Sequence, residues 1–217
     1  MLKADLHIHT EYSMDCNTSL DELIRRCQEL DINCVAIADH GTIEGALKLK
    51  AMAPFRVIVA EEVLTPNGEI MGMFLSETIA SGLSASEVIA RIRGQGGLVC
   101  IPHPFDVLRG SALDGKIIEK LAAQNQIDLL EVINSRSILL RSVDHARAFA
   151  LKYNIAQSAG SDAHTLPEIG NAYVEMPDFN GRDDFLWAIA KGKVCGHRSS
   201  PLVHFRSLAQ KLKKQYL

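Results

Sequence analysis

The feature that most constrains this 217-residue chain is a regular alternation of short apolar runs with longer amphipathic segments. The runs at 34–38 (CVAIA), 56–60 (RVIVA), 98–101 (LVCI) and 127–133 (IDLLEVI) are largely continuous. That pattern suits parallel strands covered on both faces. Further strands are expected at 2–8, 155–159 and 171–175. Ser19 with Glu22, and Ser84 with Glu87, read as capping boxes that open helices. Helices are also expected over 43–51, 115–124, 137–152 and 182–191. Thr65-Pro66-Asn67-Gly68 reads as a hairpin turn, with a return strand at 69–75. Strands alternating with helices predict an α/β fold with a parallel sheet. About seven strand–helix units fit a closed barrel better than a nucleotide-binding sheet. No G-x-G-x-x-G or G-x-x-x-x-G-K-[ST] motif follows any strand. The expectation is one barrel domain over 1–217. A basic amphipathic helix at 206–217 would dock on it.

The polar residues in this pattern sit in one kind of place. Along the first strand Leu6 and Ile8 face one side, and Asp5, His7 and His9 the other. Burying three such side chains unpaired costs a few kcal/mol each. A shared metal ion removes that cost, because imidazole nitrogens two residues apart on a strand can converge on it. Every other unusual polar cluster also ends a strand: His40, Glu62, His103, Asn134, and Asp162 with His164. In α/β folds those C-terminal ends share one rim, where active sites are built. Five of the eight histidines lie there, which chance scatter would not produce. Imidazole and carboxylate without thiolate suit Zn, Mn or Fe better than Mg or Ca. The candidates outnumber the three protein ligands a catalytic zinc usually takes, so two or three ions would use them all.

Composition narrows the rest. The chain is 47% hydrophobic and 23% charged, enough for a full core, and its net charge of −3 gives no bulk reason for binding nucleic-acid polymers or anionic membranes. No apolar run approaches the length of a membrane span, and no signal-peptide pattern is present. The five cysteines include no C-x-x-C pair and read as reduced, buried thiols, which points to the cytoplasm.

Five segments together resemble the motifs of the PHP (polymerase and histidinol phosphatase) family. They are DLHIHT at 5–10, ADHGT at 38–42, the Glu-ended strand at 58–62, PHP at 102–104 and GSDAH at 160–164, in the family's order. The resemblance implies a distorted (β/α)7 TIM-like barrel, a trinuclear metal site on the C-terminal rim, and phosphoester hydrolysis. It implies that His7, His9, Glu62 and Asp162 hold one ion, and that Glu62 bridges to a second ion also held by His103. His40 and His164 would hold a third, with Asp15 standing where some members have histidine. The chain departs from the family in two places. Asn134, a weak neutral ligand, stands where some members offer histidine to the second ion. The usual Gly-x-Glu reads Ala60-Glu61-Glu62; spacing favours Glu62 as the ligand, with Glu61 the alternative.

Divalent ions so placed would activate water for in-line attack on phosphorus and neutralise charge on the phosphoryl oxygens. Arg136, Arg198 and His197 are candidates to hold those oxygens, against the alternative of ordinary surface residues. Asp5 and Asp39 are candidates to orient ligand imidazoles; for Asp39 the alternative is a turn or N-cap role before the 43–51 helix. His145 and His204 read as structural. The expected activity is a metal-dependent phosphoesterase acting on a small phosphorylated substrate, a nucleotide or another phosphate monoester. The alternatives are a metal-dependent hydrolase of another bond, such as an amide, and a non-enzymatic accessory domain with eroded ligands.

Overall fold

The computed structural model describes residues 1–200 and Val203; the basic helix expected at 206–217 and His204 lie outside the described residues. The strands form where the apolar runs predict them: β1 (Leu2–Ile8), β2 (Cys34–Ile37), β3 (Arg56–Thr65), β4 (Gly68–Met73), β5 (Leu98–Ile101), β6 (Leu129–Asn134), β7 (Ala156–Gly160) and β8 (Ala172–Met176). A short strand not anticipated from the sequence, β9 (Lys193–Gly196), pairs with β8. The helices are α1 (Leu20–Glu29), α2 (Glu44–Met52), α3 (Ala85–Gly94), α4 (Gly115–Ala123), α5 (Leu140–Lys152) and α6 (Arg182–Ala190). Both capping boxes form. The Ser19 and Ser84 hydroxyls accept the N–H groups of Glu22 and Glu87, whose carboxylates reach back to the serine N–H groups.

Among the described residues one nine-stranded sheet runs β7-β6-β5-β4-β3-β2-β1-β8-β9. The steps β1–β2–β3 and β5–β6–β7 are parallel, while β4 lies antiparallel between β3 and β5. The return strand of the hairpin is therefore a stave of the barrel rather than an appendage. Strand β3 continues past Ala60 to Thr65 to make it, so Glu62 projects from mid-strand.

The free edge of β1 is shared. Its first half pairs antiparallel with β8 (Ala4 opposite Val174). Its far end meets the chain leaving β7: the Asp162 N–H donates to His7 O at 2.7 Å, and the His9 N–H to Ala163 O at 3.0 Å. These contacts close the barrel at the rim. The pleat divides the core in two. Val35, Ile37, Val57 and Val59 pack under the helices, while Leu6, Ala36, Ile58, Met71, Leu98 and Leu129 fill the interior with Val174 of β8 and Phe185 of α6. Cys16, Cys27, Cys34 and Cys100 are buried thiols outside any disulfide, and burial pushes Cys16 and Cys34 up to about 12, so they stay protonated.

Candidate metal centre

Three of the rim imidazoles, His7, His9 and His164, are each held by Nδ1 and present Nε2. Burial opposes the charged form of His7, but Asp162, Glu131 and Glu62 outweigh it and raise His7 well above its usual 6.5, so a ligating ion displaces a proton there. His7 Nδ1 lies 3.1 Å from Glu131 Oε1, an acceptor, so Nδ1 donates and Nε2 is the nitrogen turned to the cluster. His164 Nδ1 faces its neighbour's carbonyl, Asp162 O, at 2.8 Å, with the same result. His9 Nδ1 lies 3.2 Å from Ser13 Oγ, which also accepts the His40 N–H at 3.0 Å.

The presented atoms converge. His7 Nε2 and His9 Nε2 are 3.1 Å apart, and each lies 3.5 Å from Glu62 Oε2. Asp162 Oδ1 is 3.3 Å from His9 Nε2 and 3.7 Å from His7 Nε2. His103 Nε2 lies 2.9 Å from Glu62 Oε1. Asp15 Oδ2 is 3.2 Å from His164 Nε2 and 3.6 Å from His40 Nε2. Each of these side chains except Asp15 and His40 is essentially buried.

Glu62 Oε2, Asp162 Oδ1 and Asp15 Oδ1 are buried without a hydrogen-bond partner. Orphaned carboxylate oxygens beside imidazole nitrogens are what a divalent cation satisfies, so this donor set fits divalent metal. Among the described residues three overlapping groups meet ligand spacing: His7, His9 and Asp162; His9, His40 and His164; and His40, Glu62 and Glu69.

Charge supports this reading. Burial opposes ionisation of Glu62, but His7, His103 and His40 overcome it and hold the carboxyl well below its usual range. For Asp162, Arg109, His7 and His9 do the same. Burial and the neighbouring imidazoles push His9 down to about 4, which leaves it neutral, the form that ligates metal. His40 rises to about 9: burial works against the charged form, and Asp15, Glu62 and Glu69 outweigh it. His103 and Asp162 also carry positive φ, 31° and 54°. Non-glycine residues held there cost of order 1–3 kcal/mol, and such strain clusters at functional sites.

His7, His9, Asp15, His40, Glu62, His103, Asp162 and His164 thus come together as the sequence suggests. Other candidates meet a different geometry. Asn134 donates through Nδ2 to Glu131 Oε2 (2.9 Å) and Asp162 Oδ2 (3.1 Å), and its Oδ1 accepts the Arg136 N–H at 2.9 Å. Its one ligand oxygen is therefore engaged by the backbone. Arg198 donates to the backbone carbonyls of Ser137 and Ile138, and His197 is exposed, with Nδ1 facing Arg198 O; neither lines the cleft over the cluster. Asp5 and Asp39 touch no imidazole. Asp5 accepts the N–H groups of Ser161 and Gly170, and burial pushes it up to about 6, while Asp39 accepts from Thr10 N and Oγ1, both at 2.6 Å. These two carboxylates lock loops to β1 and β2, and no side chain caps α2.

Arg136 lies where expected, buried beside Glu168, and lines a cleft of about 400 Å³ with Asp15, His40, Glu62, Arg109 and His164. The sequence did not single out Arg109, whose guanidinium pairs with Asp162, or Glu69 on β4. It also passed over Glu131, which holds His7 Nδ1 and the His103 N–H (2.7 Å) together. The available signal for Glu131 was a lone acid inside an apolar strand. His145 stacks on Phe105 with ring centroids 4.0 Å apart, away from the cluster.

The PHP domain profile matches residues 5–145, and a PHP-associated profile matches residues 141–194. The uncharacterized protein MJ0417 of Methanocaldococcus jannaschii is 35% identical over 181 residues, covering 82% of this chain and 72% of that protein. A Bifidobacterium adolescentis structure assigned as a metal-dependent phosphoesterase superposes with a TM-score of 0.62 at 17% identity, covering 75% of this chain and 87% of that one. A Chromobacterium violaceum amidohydrolase with bound sulfate gives a TM-score of 0.62 at 18% identity, covering 77% and 89%. At those identities the two structures share the fold. The profile matches run through the strands that carry the cluster, and on them the chain belongs to the PHP domain family.

Proposed function

We propose that this protein is a metal-dependent phosphoesterase acting on a small phosphorylated substrate, a nucleotide or another phosphate monoester. The observation that carries the reading is the set of buried, hydrogen-bond-free carboxylate oxygens facing imidazole nitrogens, with two arginines on the wall of the cleft above them. His7, His9, Glu62 and Asp162 would hold one ion, Glu62 and His103 would share a second, and Asp15, His40 and His164 would hold a third. Mn, Zn or Fe suit these donors. When bound, such ions supply activated water and neutralise charge on the phosphoryl group.

The chain does the rest. Arg136 and Arg109 would take phosphoryl oxygens with their planar forks. Arg109 pairs with Asp162 across the cleft and would exchange that partner for substrate. Glu131 and Ser13 hold His7 and His9 in fixed orientations, so the donors need no reorganisation on binding. Family membership supports metal-dependent hydrolysis.

The test couples elemental analysis to hydrolysis of an aryl phosphate and a nucleotide panel, with Asp162→Ala as the control. Two or three ions per chain, and turnover that falls more than about 100-fold in the variant, are expected. A wild-type chain that binds no ion after exposure to Mn²⁺ or Zn²⁺ overturns the reading. Loaded protein that cleaves amides and spares phosphate esters favours the hydrolase of another bond, and loaded protein without turnover favours the accessory domain.

A further inference from the structure

We infer that the second ion is held by Glu62, Glu69 and His103, with Glu69, and not Asn134, completing the position. The inference rests on the metal-dependent reading above and adds a ligand to it. Asn134 is excluded by its own hydrogen bonds. Both amide protons go to carboxylates of the cluster and the oxygen is on the side of the Arg136 N–H, so Asn134 turns its donor nitrogen, and not its ligand oxygen, to the cluster.

Glu69 is placed by the inverted strand. On β4 the odd-numbered Met71 and Met73 belong to the barrel interior, while Ile70 lies under the helices. Glu69 shares the inward face, one pleat nearer the rim. Its backbone is pinned there, the N–H donating to Ser111 O at 2.9 Å, while Thr65 Oγ1 donates to Gly68 O at 2.6 Å in the turn before it. The side chain is 8% exposed, and Oε2 has no hydrogen bond. That oxygen lies 3.4 Å from His103 Nε2, and Oε1 lies 3.7 Å from His40 Nδ1. Both separations exceed a good hydrogen bond, yet both suit donors that share an ion. Glu69 Oε2 is thus a buried, unbonded carboxylate oxygen turned to the cluster, and Arg109, in the same cleft, is already paired with Asp162.

The donor set has a chemical consequence. Two carboxylates and one imidazole form a harder site than the His7, His9 and Asp162 group. Oxygen-rich sites suit Mn²⁺, and imidazole-rich ones suit Zn²⁺. The second position should therefore favour Mn²⁺ over Zn²⁺ more than the imidazole-rich positions do.

The experiment uses the full chain, stripped with chelator and dialysed against defined free Mn²⁺ or Zn²⁺, with ions counted by elemental analysis and Mn²⁺ pairs observed by electron paramagnetic resonance. Glu69→Gln is expected to bind one Mn²⁺ fewer per chain, or to bind its weakest Mn²⁺ at least tenfold less tightly, and to lose the exchange-coupled pair signal. Glu69→His keeps a ligand at the position and should shift its preference towards Zn²⁺ over Mn²⁺ by at least tenfold. If Glu69→Gln does not fold, as judged by circular dichroism, Glu69→His carries the test. Full Mn²⁺ loading of Glu69→Gln with affinity within twofold of wild type overturns the inference, as does an unchanged preference in Glu69→His. Either result leaves the hydrolase reading intact, whereas a wild-type chain that binds no ion removes both.

Discussion

Glu61 and Glu62 are neighbours with the same chemistry, and the pleat of β3 gives them opposite roles. Glu62 faces the histidines. Glu61 faces away, with Oε2 accepting the Ile79 N–H at 2.8 Å and Oε1 lacking a partner, and burial pushes its carboxyl up to about 7. A carboxyl raised in this way contributes its stability below the unfolded value of 4.5 and loses it as pH rises through 7. Glu61→Gln is therefore expected to gain on wild type between pH 5 and 8, by about 2–3 kcal/mol in chemical denaturation, with its ion content unchanged. Glu62→Gln should lose ions instead, and a Glu61→Gln protein that lost them would reverse the assignment. Glu131→Gln removes the charge behind His7 and should weaken ion binding roughly 10–100-fold by calorimetry. The histidines were legible in the sequence because few other roles explain imidazoles at successive strand ends. Glu131, Glu69 and Arg109 were not, since their roles depend on register and on a hairpin that becomes part of the barrel.

Among the elements, β7 is the one whose packing decides the site. A Cβ on its last residue, Gly160, would lie 2.3 Å from His7 Cβ and 2.9 Å from Glu131 Oε1. Close approach of β7 to β1 thus requires glycine, and it sets how Asp162 meets His7. Gly160→Ala should separate the strands, cost roughly 1–3 kcal/mol and weaken ion binding; a variant with wild-type melting temperature and ion affinity would refute this. The strands and helices with strong periodicity, such as β1, α1 and α3, sit where the sequence put them, and both capping boxes marked helix starts correctly. The hairpin was legible at Thr65–Gly68, but the place of β4 in the barrel had no local signature, because a hairpin turn reads alike whether its second strand joins the barrel or not. Strand β9 was missed for a similar reason: four residues with a lysine and a glycine acquire strand structure only by pairing with β8.

For the molecule as a whole, ions that bind the folded chain alone stabilise it by mass action. At 100 times the dissociation constant this amounts to about 2.7 kcal/mol, which for a chain of this size raises the melting temperature on the order of 5–10 °C. Chelator should abolish the increment in a scanning-calorimetry experiment, and restored Mn²⁺ should return it; a melting temperature indifferent to both would show that the cluster binds no ion with useful affinity. The seam that closes the barrel joins distant parts of the chain, since Ser161 Oγ reaches His7 O across 154 residues. A ribosome therefore delivers His7 and His9 roughly 10–30 s before Asp162 and His164 emerge to face them. Through that interval β1 has one bare edge, and its two imidazoles have no carboxylate across the seam. The chain must be made through His164 before the site exists, so ion capture follows the closing of this seam and cannot template the first strands.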